Sequence, residues 1–131
     1  MAHESQRITS VHKYLPKTME VWKISDRFHR GIADAYYGGT ETDLWVEWKS
    51  HTMNKITPTR PKLSSLQRAW LKKQYDLGRN VWVIMLTDQQ HHIMNSPSQW
   101  ERGIAPWTEG YKKSPDVAQA IIDFCQKTGD A

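Results

Sequence analysis

Leu44-Trp45-Val46-Glu47-Trp48-Lys49 alternates strictly enough to be read as a β-strand, with Leu44, Val46 and Trp48 on one side of the chain. Successive side chains of an extended strand leave opposite faces, so that apolar set points into a core. Glu47 and Lys49 leave the other face together, roughly 7 Å apart. Placing a carboxylate and an ammonium at the end of an apolar strand is costly unless a partner or a metal ion compensates. A second carboxylate, Asp34, lies thirteen positions upstream of Glu47, just after His29-Arg30-Gly31-Ile32.

Upstream, Glu4, Ile8, Val11 and Leu15 share one helical face, predicting a helix over Glu4–Leu15 that Pro16 ends. Met19–Ile24 alternates as a first strand, and Asp34–Tyr37 reads as a second, closed by Gly38-Gly39. Downstream, Ser50–Lys62 is polar with two prolines and reads as a loop. Leu63, Leu66, Trp70 and Leu77 then mark the apolar face of a helix that Gly78 stops. Val81–Leu86, the most hydrophobic run, predicts a central strand buried on both faces and reached by a crossover. His91–Met94 suits an edge strand. Ser114 as N-cap and Pro115 at the first helical position open a last helix. Its inner face is Val117, Ile121, Phe124 and Cys125, and Gly129 lies beyond its end. The order α-β-β-β-α-β-(β)-α predicts one α/β domain over 1–131, a mixed sheet flanked by helices, with neither an internal repeat nor a linker.

A chain of 131 residues can bury about two-thirds of its unfolded surface as one domain. No apolar run approaches the roughly 20 residues of a membrane span, and the first residues lack the apolar stretch of a secretory signal. The single cysteine, Cys125, excludes an internal disulfide and a cysteine-rich zinc cluster. The expected home is intracellular, the cytoplasm of a bacterial or virus-infected cell. Net charge +4 favours a polyanionic partner, although the same excess suits a solvated face. Seven tryptophans are many for this length, enough to anchor a core and still serve base stacking or a subunit interface.

Among 18 basic and 14 acidic residues a Glu-x-Lys spacing arises by chance, so its context decides. Two carboxylates converging from adjacent strands suit a hard divalent cation such as Mg²⁺, which takes oxygen ligands and keeps several waters. A lysine beside that ion can orient or help deprotonate a water and offset charge on a phosphate. Each residue also has a plainer role. Asp34 fits a turn, Glu47 and Lys49 an exposed ion pair, and Glu4 a helix start that complements the dipole. Ser64-x-x-Gln67 matches a capping box, and one amide serving both cap and active site is not expected. His29, Arg30, Lys55, Arg60 and Lys62 flank the carboxylates in sequence and could track DNA phosphates or simply be solvated. His91 and His92 point to opposite faces of a strand and cannot chelate one ion.

Glu4 in a first helix, Arg30-Gly31-Ile32-Ala33-Asp34, Trp45-Val46-Glu47-Trp48-Lys49, Leu63-Ser64-Ser65-Leu66-Gln67 and Gly78-Arg79-Asn80-Val81 together resemble the PD-(D/E)XK nucleases. More narrowly, the order is similar to the VRR-NUC branch, whose small stand-alone members include virus-encoded (phage-type) enzymes acting on branched DNA. The likeness spans about residues 3–87, leaving a tryptophan-containing segment and helix over 88–131. Ala33 stands where a proline usually precedes the first acid. The resemblance implies a restriction-endonuclease-like core and a Mg²⁺-dependent endonuclease in which Mn²⁺ may substitute. Asp34, Glu47 and the main-chain carbonyl of Trp48 would then hold the metal. Lys49 would activate water, Glu4 would hold a metal-bound water or second ion, and Gln67 would orient Lys49 or touch the phosphate. It also implies a Holliday-junction-resolvase-like substrate and a homodimer, for which the last helix, Trp100 and Trp107 offer apolar surface. Two other classes fit less of the pattern. One is a catalytically silent nucleic-acid-binding module; the other is a protein-interaction or assembly factor using the tryptophan-rich tail.

Overall fold

The β-hairpin that carries both acids forms the middle of the architecture. In the computed structural model, which describes residues 4–24 and 31–126, β2 (Ala35–Gly38) runs antiparallel to β3 (Asp43–Ser50). Ala35 pairs with Val46 and Tyr37 with Leu44, so one further step sets Asp34 opposite Glu47. Opposed residues of an antiparallel pair share a face. β1 (Glu20–Lys23) adds to β2 as an edge strand. β4 (Val81–Thr87) lies parallel to β3, and β5 (Gln90–Met94) closes the other edge antiparallel to β4. The five strands are therefore ordered β1-β2-β3-β4-β5 in one mixed sheet flanked by helices, the expected α/β class.

Both faces are covered, which explains why β4 is buried at every position. On one face Leu44, Val46, Trp48, Trp82, Ile84 and Leu86 meet α1 (Glu4–His12) and α4 (Ser114–Cys125). On the other, Val81, Val83 and Met85 pack with Leu71 of α2 (Ser65–Asp76) and Trp100 of α3 (Pro97–Arg102). Helix α2 is the crossover between the parallel strands. Gly39 lets the end of α4 reach the hairpin: a Cβ there would lie 2.4 Å from the Cys125 carbonyl oxygen, which accepts bonds from Glu41 N and Thr42 N.

Several expectations need correction. Helix α1 ends at His12 instead of Leu15, because Tyr14 N and Leu15 N bond carbonyls three residues back and tighten the chain into Pro16. In α2 the expected apolar face is rotated: Leu66 and Leu77 are exposed, while Gln67, Trp70, Leu71 and Gln74 turn inward. The cap of α4 is Lys113, without a side-chain bond, and Ser114 is its first residue. Ala118 joins the buried stripe of α4, whereas Phe124 is half-exposed against Trp82. Helix α3 was not anticipated; its Trp100 is a core anchor, so neither Trp100 nor the inner face of α4 remains for a subunit interface. His91 and His92 are buried on the edge strand. Among the described residues no helix is long and apolar enough to cross a membrane. His3, His29, Arg30 and Gly129 lie outside the described residues.

Candidate active site

Asp34, Glu47, Lys49 and Gln67 come together at one end of the hairpin, and Glu4 touches none of them. Asp34 precedes β2, where its Oδ2 accepts a hydrogen bond from Trp48 N at 3.0 Å. That bond ties the first acid to the peptide immediately after the second. Glu47 is only 1% exposed, yet it belongs to neither apolar cluster. Its Oε2 accepts from Gln67 Nε2 at 3.0 Å and stands 3.7 Å from Lys49 Nζ. Its Oε1 has no hydrogen-bond partner among the described residues. The Lys49 side chain is 24% exposed and therefore reaches solvent.

Gln67 caps α2 and also reaches the site, where its bond is to Glu47 and not the expected one to Lys49. Its Oε1 accepts from Ser64 N at 2.9 Å and its own N–H bonds Ser64 Oγ at 3.1 Å, completing the capping box. The amide NH₂ at the other end is free to donate to Glu47. One side chain thus starts α2 and fixes the second carboxylate. Gly31 brings the chain before Asp34 against the same turn: its φ is +90° and a Cβ would sit 2.6 Å from the Leu66 carbonyl oxygen.

Burial dominates the electrostatics. Burial first, and then the neighbouring Asp34 carboxyl, lifts the Glu47 carboxyl to about 8 against the pull of Lys49. Glu4 adds a smaller repulsion, which places its charge within reach of the site. Asp34 is also raised by burial, but the Trp48 N–H, the Glu47 carboxyl and Lys49 oppose the rise. The two carboxyls face each other closely enough to couple, and without a cation Glu47 holds a proton near neutral pH.

A buried carboxylate oxygen with no partner, facing a second carboxyl, is the donor set a hard cation satisfies. Among the described residues no three His, Cys, Asp or Glu groups converge as a ready-made ligand cage. Two acids leave the other positions to main-chain oxygen and water, the habit of Mg²⁺ rather than of structural zinc. The residues present fit such an ion.

The remaining expected contacts are more dispersed. Lys55, Arg60 and Lys62 are exposed on the segment that leaves β3 just after Lys49 and returns just before Gln67. That segment is tied down: Lys62 N donates to His51 Nε2 at 2.9 Å, and Thr59 bridges to Ile104. Sequence reasoning missed the bracing behind Trp48. Trp48 Nε1 donates to Tyr37 Oη at 3.2 Å, and the same phenol is hydrogen-bonded to His12 Nε2 at 2.7 Å. This chain from α1 through β2 immobilises the residue whose backbone holds Asp34. The i+2 alternation of Tyr37 and the helical placement of His12 put both on the core side, but nothing in their types signals the link.

No family model matches the chain, and no curated protein matches it. Among solved structures, the Holliday junction resolvase Hjc of Archaeoglobus fulgidus, an archaeal hyperthermophile, is similar with a TM-score of 0.48. The two chains are 14% identical over 90% of this chain and 97% of that one.

Proposed function

We propose that this protein is a Mg²⁺-dependent endodeoxyribonuclease that hydrolyses phosphodiester bonds, acting on branched DNA such as a four-way junction. The observation that supports it best is the pairing of buried Glu47, with one unpartnered oxygen, against Asp34 and beside Lys49. In this reading Asp34, Glu47 and the Trp48 main-chain carbonyl hold the cation, with Glu4 acting through water. The bound cation supplies charge neutralisation on the phosphoryl oxygens and makes a nearby water more acidic. Gln67 holds Glu47 by one oxygen, and the other would be available to hold a cation. Lys49, reaching solvent from the same face, orients the attacking water in line with the scissile bond and offsets charge on the phosphate. Exposed Lys55, Arg60 and Lys62 track the flanking phosphates, which makes binding strongly salt-dependent.

The test incubates purified protein with labelled four-way junction, flap, single-stranded and linear duplex DNA, with Mg²⁺ or with EDTA. Cleavage is expected only with Mg²⁺, and Glu47→Gln or Lys49→Ala abolishes it while junction binding persists. Cutting that survives both substitutions would refute the proposed centre.

A further inference from the structure

Among the described residues two buried side-chain atoms lack a hydrogen-bond partner: Glu47 Oε1, in the candidate active site, and His91 Nε2. His91 is 3% exposed. Its Nδ1 stands 2.9 Å from the Tyr111 carbonyl, which only accepts, so Nδ1 carries the proton and Nε2 a lone pair. Burial lowers the pKa of the ring, the Tyr111 bond opposes that, and the nearby Arg7 charge lowers it again, so the ring stays neutral. A buried acceptor without a donor is a cost to the fold until something donates to it. His91 opposes Leu86 across β4 and β5, on the face that α1 and α4 cover and Glu47 does not share. There the ring borders a cavity of about 530 Å³ between α1, the ends of β3 and β4, and the start of α4. Small-molecule sites have volumes of roughly 300–1,000 Å³.

Part of the lining suits an anion. Half-buried Arg7 donates one bond, from Nη2 to the Gln90 carbonyl at 3.0 Å, and has no ion pair with any described residue. Burial weighs on its charge more than Asp88 relieves it. Exposed Lys112 adds a second cation. His51 Nε2 accepts from Lys62 N, so its Nδ1 carries a proton that can be donated. Ser114 sets a hydroxyl at the positive end of α4, whose cap residue makes no side-chain bond. Two other lining groups require the opposite, because His91 Nε2 and the Asp88 carboxylate only accept. Sulfate satisfies neither of them, and the phosphodiester of a DNA backbone has no proton to give. A phosphate joined to a hydroxyl-bearing group satisfies both kinds of lining. A neighbouring cavity on the Tyr111 side also touches His91, but no lysine or arginine lines it.

We propose that this cavity binds a sugar phosphate, with the phosphate on Arg7, Lys112 and His51 and the sugar hydroxyls donating to His91 Nε2 and Asp88. The site lies on the opposite face of the sheet from the Glu47 carboxylate and does not depend on the nuclease reading. Its ligand joins α1 to the end of β3 and the start of α4 through groups that otherwise lack full partners.

Isothermal titration calorimetry of the full chain, without DNA or metal, tests this with ribose 5-phosphate as the probe and sulfate at equal ionic strength as the comparison. Ribose 5-phosphate is expected to bind about tenfold or more tightly than sulfate, the effect of giving an unsatisfied acceptor its donor. Arg7→Gln should weaken ribose 5-phosphate by about tenfold or more, through loss of a charge-assisted bond. His91→Asn keeps an amide to donate to Tyr111 and removes the Nε2 position. It should bring ribose 5-phosphate down towards sulfate and leave sulfate unchanged. Lys17→Gln removes an exposed charge away from the cavity and should change neither. Circular dichroism checks folding, and exposed Lys112→Gln replaces Arg7→Gln if that variant fails to fold. Equal affinity for sulfate, no heat with ribose 5-phosphate, or binding indifferent to the cavity substitutions overturns the proposal. Inorganic phosphate that binds as tightly as ribose 5-phosphate overturns the assignment to a sugar. A DNA oligonucleotide without terminal phosphates that competes for the cavity overturns it as well, making this face part of a DNA surface.

Discussion

Replacing Glu47 by glutamine should make the metal-free protein more stable, and the pH at which it does so identifies the cause. Burial and the Asp34 carboxyl keep Glu47 protonated in the folded chain up to about pH 8, whereas the unfolded chain ionises it from 4.5 upward. A carboxyl whose folded pKa is raised contributes stability that is fully present below 4.5 and lost as pH rises through about 8. At roughly 1.4 kcal/mol per pH unit, ionisation of the unfolded chain alone costs the native state about 3 kcal/mol at pH 7. Glutamine has no such cost. It can also accept from Gln67 through its carbonyl and donate to Asp34 through its NH₂. For a domain of this size the gain corresponds to about 10 °C in Tm. Urea titrations in EDTA across pH 4 to 9 should show the two proteins nearly equal at the acid end and diverging steadily to pH 8. Adding Mg²⁺ should then raise the wild type and leave Glu47→Gln where it was, because only the wild type binds the ion in its folded form. A difference between the proteins that stays flat with pH, or a variant less stable than wild type at pH 8, would refute the argument that Glu47 is strained by burial.

Two further outcomes follow from the hydrogen bonds. Gln67→Ala removes the α2 cap and the Glu47 anchor, and should cost about 1 kcal/mol in denaturation together with most cleavage. Gln67→Glu can still accept from Ser64 N but sets a carboxylate against Glu47, so thermal stability should hold better than in Gln67→Ala while cleavage falls just as far. His12 is held down at about 4 by burial and then by Lys23, so its stabilisation is present above 6.5 and lost as pH falls through 4. Chemical denaturation should show wild type losing stability relative to His12→Gln over that window, by less than the full shift implies because the ring is partly solvated, and parallel curves would exclude the effect.

What could be read from the sequence divides along physical lines. The strand at 44–49 was readable because its two faces differ in chemistry, and a two-residue period leaves no freedom about which side chain goes where. The carboxylate pair followed from it, since register alone sets Asp34 opposite Glu47. The face of α2 was not readable. Leu63, Leu66, Trp70 and Leu77 have the right spacing for a core stripe, yet the helix turns Gln67 and Gln74 inward and leaves two leucines in solvent. Apolar periodicity counts only transfer from water. It has no term for a buried acid twenty residues earlier that needs a donor, and Glu47 is that acid. The bond from Trp48 N to Asp34 was invisible for a similar reason, because a backbone donor has no letter. Helix α3 is too short, at six residues, to show a period at all.

The α2 misreading also reveals what the site demands of the fold. A helix oriented by its leucines alone would bury Leu66 and Leu77 and swing Gln67 off Glu47, leaving both acid oxygens without a donor inside the protein. An unsatisfied buried carboxylate costs more than two leucines gain by burial, about 1.5–3 kcal/mol each, once the acid must ionise to work. The rotation therefore follows from the chemistry of Glu47. It leaves Leu66 and Leu77 exposed on the flank of α2 near the Trp45–Trp70 contact. Glu47 and the orientation of α2 are therefore not independent: Glu47→Leu should relax the demand on Gln67 and let α2 roll its leucines inward. Quenching of tryptophan fluorescence by acrylamide would then fall relative to wild type, and unchanged quenching would break the connection between Glu47 and the orientation of α2.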